Sequence, residues 1–233
     1  VYRPEKIKPA GAFKYMKISD REAFSFYSHA LGAVLAVVGT ILLAALSRES
    51  TALLLLSIVY GISVTTLFLS SSLYHAHKLE ENGESIWRKL DHLAIFVMIA
   101  GTYTPMCYLY IQGPWRWGII IAQWSLVFLG IFFKFFFLRA PRCFSTIIYL
   151  AMGWMALLVV GKMINGMQPL ELMGLFGGGI FFTIGAVIYI LKKPDPLSEY
   201  MGFHGLFHIF ILLGGLTHFL VVLHGIAKAV GRG

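Results

Sequence analysis

Ile119 to Leu138 holds only three polar side chains, Gln123, Ser125 and Lys134, and it is one of seven such apolar runs in the chain. A helix needs roughly 20 predominantly apolar residues to cross the hydrocarbon core of a bilayer. Backbone polar groups in lipid must be satisfied within the protein, which leaves helices or a closed barrel. Barrel strands alternate apolar and polar residues over roughly ten-residue segments. These runs are continuous, so they read as helices. They fall at roughly 24–46, 51–77, 91–111, 115–138, 143–164, 169–191 and 203–228. Short polar connectors divide them, among them Ser47-Arg48-Glu49-Ser50, Gln112-Gly113-Pro114 and Lys192-Lys193-Pro194-Asp195-Pro196. The expected fold is all-α: a polytopic membrane protein with a seven-transmembrane-helix bundle over residues 24–233. Residues 1–23 form a basic cytoplasmic tail or a short segment lying along the bilayer surface.

Charge supplies the orientation. The net charge of +8 does not point to nucleic acid, because the basic residues sit between apolar runs and not on one soluble face. The side of the N-terminal tail holds its own basic residues together with Lys78, Arg88, Lys89, Lys134, Arg139, Arg142, Lys192 and Lys193. Opposite lie only Arg48, Arg116, Lys162, Lys228 and Arg232. The positive-inside rule therefore predicts a cytoplasmic N-terminus and an outside C-terminus, in the cell membrane. The polar start of the chain, followed by a run long enough to span, shows no cleavable signal. Cys107 and Cys143 fall at opposite faces in this topology, so no disulfide is expected.

The same topology gathers the ionisable residues. The second run ends near His75, the third begins at Asp91, and the seventh begins near His204. All three lie at the cytoplasmic end of the bundle. His204 and His208 are four apart, so they are about 40° from each other on a helix and one turn apart. Ser71 stands one turn before His75. Ionisable groups inside a span are costly and tend to mark a site.

Three neutral imidazoles with an open fourth position make a catalytic type of zinc site. The fourth position holds water with its pKa brought towards about 7. A carboxylate beside that water, here Asp91, can orient it and take its proton. A serine hydroxyl, here Ser71, can donate to a developing oxyanion. Plainer readings stand beside these: Asp91 as a helix N-terminal acid favoured by the dipole, and Ser71 bonding its own backbone carbonyl. His29 could stand behind a ligand. His77 and His92 should point away, and His218 is about 21 Å up the last helix from His204. Glu171 is a second acid near the start of a span. Gly177-Gly178-Gly179 reads as close helix packing and Thr104-Pro105 as a kink.

Ser71-Ser72-Leu73-Tyr74-His75, Leu90-Asp91-His92, Ala100-Gly101-Thr102-Tyr103-Thr104-Pro105 and His204-Gly205-Leu206-Phe207-His208 together resemble the hemolysin III branch of the progestin and adipoQ receptor family. The resemblance runs from about residue 24 to the end of the chain. It implies seven transmembrane helices with a cytoplasmic N-terminus. It also implies Zn2+ held by His75, His204 and His208, with Asp91 reaching the metal through water and Ser71 close by. The family is grouped with membrane hydrolases, and its adiponectin receptors resemble ceramidases in that respect. The expected function is a zinc-dependent hydrolase of a lipid amide near the cytoplasmic leaflet, with membrane lipids as partners and a lipid substrate or free fatty acid in the bundle. The tail is short where the receptors carry a long extension, so no protein hormone is expected. The alternative is a non-enzymatic sensor of membrane state, or a pore-forming protein, with a structural zinc.

Overall fold

The computed structural model describes residues 18–78, 85–136, 142–196 and 200–231, without the side chains of 20, 21, 133–136 and 142–144. Residues 1–17 of the expected tail or surface segment over residues 1–23, and the side chain of Cys143, lie outside the described residues. All regular structure among the described residues is helical, and seven helical segments are long and apolar enough to cross a membrane. They are α1 (Asp20–Leu46), α2 (Thr51–His77), α3 (Ile86–Tyr110), α4 (Pro114–Phe136), a broken fifth span, α7 (Pro169–Leu191) and α8 (Gly202–Val230). The protein is a multi-pass integral membrane protein.

Helix ends follow the capping residues. Ser50 opens α2 by accepting the Leu53 N–H at 3.4 Å, and Ser85 opens α3 by accepting the Arg88 N–H at 3.1 Å. The Ser85 cap starts α3 at Ile86, ahead of the apolar run, so Asp91 lies in the second turn and not at the helix mouth. The first helix likewise begins at Asp20, before the apolar run at residue 24, and this draws Glu22 into its first turn. Gln168 and Glu171 form a reciprocal capping box at the start of α7, with Pro169 as its first residue.

The fifth span departs most from the expected continuous helix. It consists of α5 (Arg142–Gly153), a 3-10 segment (Trp154–Val159) and α6 (Val160–Gly166). Inside a membrane such a break needs replacement hydrogen bonds. Tyr103 of α3 supplies two: its hydroxyl donates to the Gly153 carbonyl at 2.6 Å and accepts the Ala156 N–H at 2.7 Å. Gln123 of α4 adds a third, donating through Nε2 to the Met152 carbonyl at 2.8 Å. The partners come from other helices, so no pattern local to residues 143–164 reveals the break.

Short connectors make successive spans run in opposite directions. The starts of α1, α3, α5 and α8 and the ends of α2, α4 and α7 therefore share one face, called here the near face. Helix α1 packs on α2, α2 on α3, α3 on α4 and α7 on α8, while α8 also contacts α1 and α3. The exposed side of α1 carries Leu31, Val34, Leu35, Val38 and Leu42 at helical spacing, a surface fit for lipid. Close approach is concentrated at single glycines. A Cβ on Gly178 of α7 would run into the His218 ring of α8, whereas Gly177 faces open space and Gly179 meets Trp154 only at ordinary contact, 3.7 Å. Pro105 lies inside a helix that continues to Tyr110.

Candidate metal centre

The last turns of α2 and the first turns of α8 bring three imidazoles together on the near face. His204 and His208 share one face of α8, as their spacing requires, with their Nε2 atoms 3.2 Å apart. His75 arrives from α2 and places its Nε2 3.3 Å from that of His204. One ring nitrogen from each of the three lies within 4.8 Å of the others. His75 and His208 are buried, at 2% and 1% exposure.

Hydrogen bonding alone does not account for this cluster. A neutral imidazole carries one N–H, so His204 Nε2 can donate to one neighbour and not to both. A cation satisfies three ring nitrogens at once. Two tetrahedral ligands at a Zn–N bond of about 2.0–2.1 Å stand about 3.3–3.4 Å apart. The two observed Nε2 separations are close to that value. The cluster could hold a metal ion, with all three donors from one ligand class and two of them buried.

A cavity of about 570 Å³ opens beside the cluster. Its wall includes His204, His208, His29, Ser71 and Asp91 at one end and Gly153, Trp154 and His218 at the other. Most of the side chains between are apolar, including Leu67, Met98, Ile99, Phe182 and Ile211. Asp91 and Ser71 thus share one cavity with His204 and His208, and Ser71 is 3% exposed. His29 stacks on His208 with ring centroids 3.7 Å apart, and neither of its ring nitrogens has a hydrogen-bond partner among the described residues.

The remaining histidines do other things. His77 donates through Nδ1 to the Leu73 carbonyl at 2.8 Å and stacks on Trp87 at 4.5 Å, away from the cluster. His218 donates to the Leu175 carbonyl at 3.0 Å, tying α8 to α7 at the far end of the cavity. His92 lines the cavity beside Asp91, which its position one residue along the helix did not suggest.

Sequence reasoning missed Glu22. Its Oε2 accepts from His75 Nδ1 at 2.5 Å and its Oε1 accepts from Lys78 Nζ at 2.6 Å. Read as part of the tail, it looked like one more charge in a polar segment. A usable signal existed: Glu22 and His29 are seven apart, about 20° from each other on a helix, so both belong to one face.

Comparison with known proteins supplies the family. A family model described as haemolysin-III related matches residues 18–219. The chain belongs to this family. It is 33% identical to Hemolysin-3 of Bacillus cereus over 198 residues, covering 84% of this chain and 87% of that protein. It is 36% identical to the Hemolysin-3 homolog of Bacillus subtilis (strain 168) over 167 residues, 71% of this chain and 74% of that one. It is also 26% identical to the Monocyte to macrophage differentiation factor of Homo sapiens over 219 residues, 90% of this chain and 86% of that one. The family-model match spans the region that carries the histidines, so the haemolysin-III-related chain brings His75, His204 and His208 together within the part that defines its family.

Proposed function

We propose that this haemolysin-III-related protein is a zinc-dependent hydrolase of a lipid amide, working near the cytoplasmic leaflet of the cell membrane. The observation that carries this reading is a set of three convergent imidazoles, two of which, His204 and His208, line one end of a mostly apolar cavity of about 570 Å³. An acyl chain fits such a cavity by polarity, while its polar head would lie against the histidines. The charge asymmetry of the connectors supports a cytoplasmic near face.

His75, His204 and His208 would hold Zn2+. Bound there, the ion would supply Lewis acidity for a carbonyl and would bring the pKa of water towards about 7. Asp91, on the cavity wall, takes the proton of the attacking water and passes it to the leaving amine. Ser71, buried on the same wall, donates its hydroxyl to the carbonyl oxygen as negative charge develops there. The apolar wall excludes competing water. Asp91→Asn keeps the metal ligands and removes the proton acceptor. The expected result is normal zinc content with turnover on a panel of lipid amides reduced about 10²–10⁴-fold. Unchanged turnover would sink the role of Asp91.

A second reading has its own observation. The donors come from two helices, α2 and α8, so a metal there would staple them whether or not it is catalytic. The protein would then sense or regulate membrane state, or form a pore as the relatives' name, hemolysin, suggests. On that reading chelation lowers thermal stability while no lipid in the panel is consumed, and leakage from reconstituted liposomes singles out the pore.

A further inference from the structure

We propose that Glu22 is the positioning residue of the metal centre, fixing His75 in the one tautomer and orientation that turn its Nε2 onto the other two imidazoles. The inference rests on the metal-binding reading above and adds to it a residue from a third helix.

A carboxylate can only accept, so the 2.5 Å contact requires that His75 Nδ1 carry the hydrogen. A neutral ring protonated at Nδ1 has its lone pair on Nε2. That atom faces His204 Nε2 at 3.3 Å, so the lone pair points into the cluster. Rotating the ring to present Nδ1 instead would break the contact with Glu22. The carboxylate is itself held: Lys78, three residues after His75, grips the second oxygen at 2.6 Å. The last turn of α2 thus offers Glu22 both a ring to orient and a cation that anchors it. His75 is almost sealed, with its side chain 1% exposed, and Glu22 is 17% exposed, so the contact works in a partly desolvated setting. His208 has nothing comparable: its Nδ1 has no hydrogen-bond partner among the described residues. One ligand is oriented by a charged partner, and the α8 pair is oriented by the helix that carries it.

The rival explanation is that Glu22 only struts α1 to α2 through Lys78. Two variants separate them. Lys78→Met removes the strut and keeps the Glu22–His75 contact. Glu22→Ala removes both. The full chain, purified in detergent micelles, would be titrated with Zn2+ against a chromogenic chelator, and with Co2+ for its visible ligand-field bands. A partner of this kind typically accounts for 10–100-fold in metal affinity. Glu22→Ala should therefore bind Zn2+ about 10–100-fold more weakly with altered Co2+ bands, while Lys78→Met, which keeps the Glu22–His75 contact and loses only its anchor, should lose clearly less in both. Glu22→Gln, which keeps an acceptor oxygen without its charge, should fall between them and carries the test if Glu22→Ala does not fold. Wild-type affinity and bands in the Glu22 variants would overturn the proposal, as would a loss in Lys78→Met equal to that in Glu22→Ala. A wild-type chain that binds neither ion would instead remove the metal centre itself, and the proposal with it.

Discussion

Two ionisable clusters lie at opposite faces of the bundle, and their hydrogen-bond arithmetic differs. On the far face Glu171 of α7 is 2% exposed and surrounded by donors. Tyr110 Oη donates to its Oε1 at 2.8 Å, His224 Nδ1 lies 2.8 Å from the same oxygen, the Gln168 N–H donates to Oε2 at 2.5 Å, and Lys228 Nζ stands 3.7 Å from Oε2. One acceptor with several donors closes on itself. On the near face three ring nitrogens converge, and at most one can donate to another at each contact. Hydrogen bonds among its own members leave that cluster open. Ionisable residues inside spans are a default sign of a site. Here the default separates into a lock joining α3, α7 and α8, and a cluster that could hold a metal ion.

The sharpest way to break this contrast is to delete a ligand. His208→Ala should reduce metal from near one ion per purified chain to near none, read by elemental analysis. The wild type should lose thermal stability on chelation, by about 4 kcal/mol if the free metal had been at 1,000 times its Kd. In His208→Ala the chelator should change nothing. A variant that keeps its metal, or a wild type whose melting ignores the chelator, would erase the distinction between the two clusters.

The complementary experiment is on the far face. Glu171→Ala should leave metal content unchanged and lower stability by about 1–2 kcal/mol, since interhelical hydrogen bonds in membranes average about 0.6 kcal/mol each and Glu171 makes two, besides capping α7 and facing Lys228. Thermal unfolding with and without chelator separates the two clusters: the Glu171→Ala penalty should persist after the metal is removed. A fall in metal content would couple the faces and contradict the reading of a self-contained lock.

The contrast also explains what was legible in the residues. The seven spans were legible because lipid sets their length, and the His204–His208 pair because helical spacing is local. The depth shared by His75 and His204 followed from counting spans. The start of α3 was misplaced because hydropathy sees the apolar run, whereas Ser85 starts the helix by capping it. The break in the fifth span was hidden because its hydrogen bonds come from Tyr103 and Gln123, on other helices. Glu22 was hidden because its role depends on a contact 53 residues away. Glu171 was visible as an acid near a span, but its donors, Tyr110 and His224, are 61 and 53 residues distant. Sequence shows where charge enters the membrane, and only the packing shows whether it is answered.

The smallest predicted effect tests the lock at a single bond. Tyr110→Phe removes one hydroxyl that donates to Glu171 at 2.8 Å and keeps the ring buried in the core. Glu171 retains the Gln168 N–H, His224 and Lys228, so no carboxylate is left without a donor. The same hydroxyl also lies 3.2 Å from the Val221 carbonyl, which stays within the α8 helix ladder when the hydroxyl is gone. The cost should be about 0.6 kcal/mol, the typical value of one interhelical bond in a membrane, and no more than about 1.7 kcal/mol. Measured by thermal unfolding, it should add to the effect of His208→Ala, because distant sites without shared partners are additive within about 0.3–0.5 kcal/mol. Additivity would confirm two independent clusters. A larger interaction term would mean that α8, which carries His208 and His224 both, transmits the state of one cluster to the other.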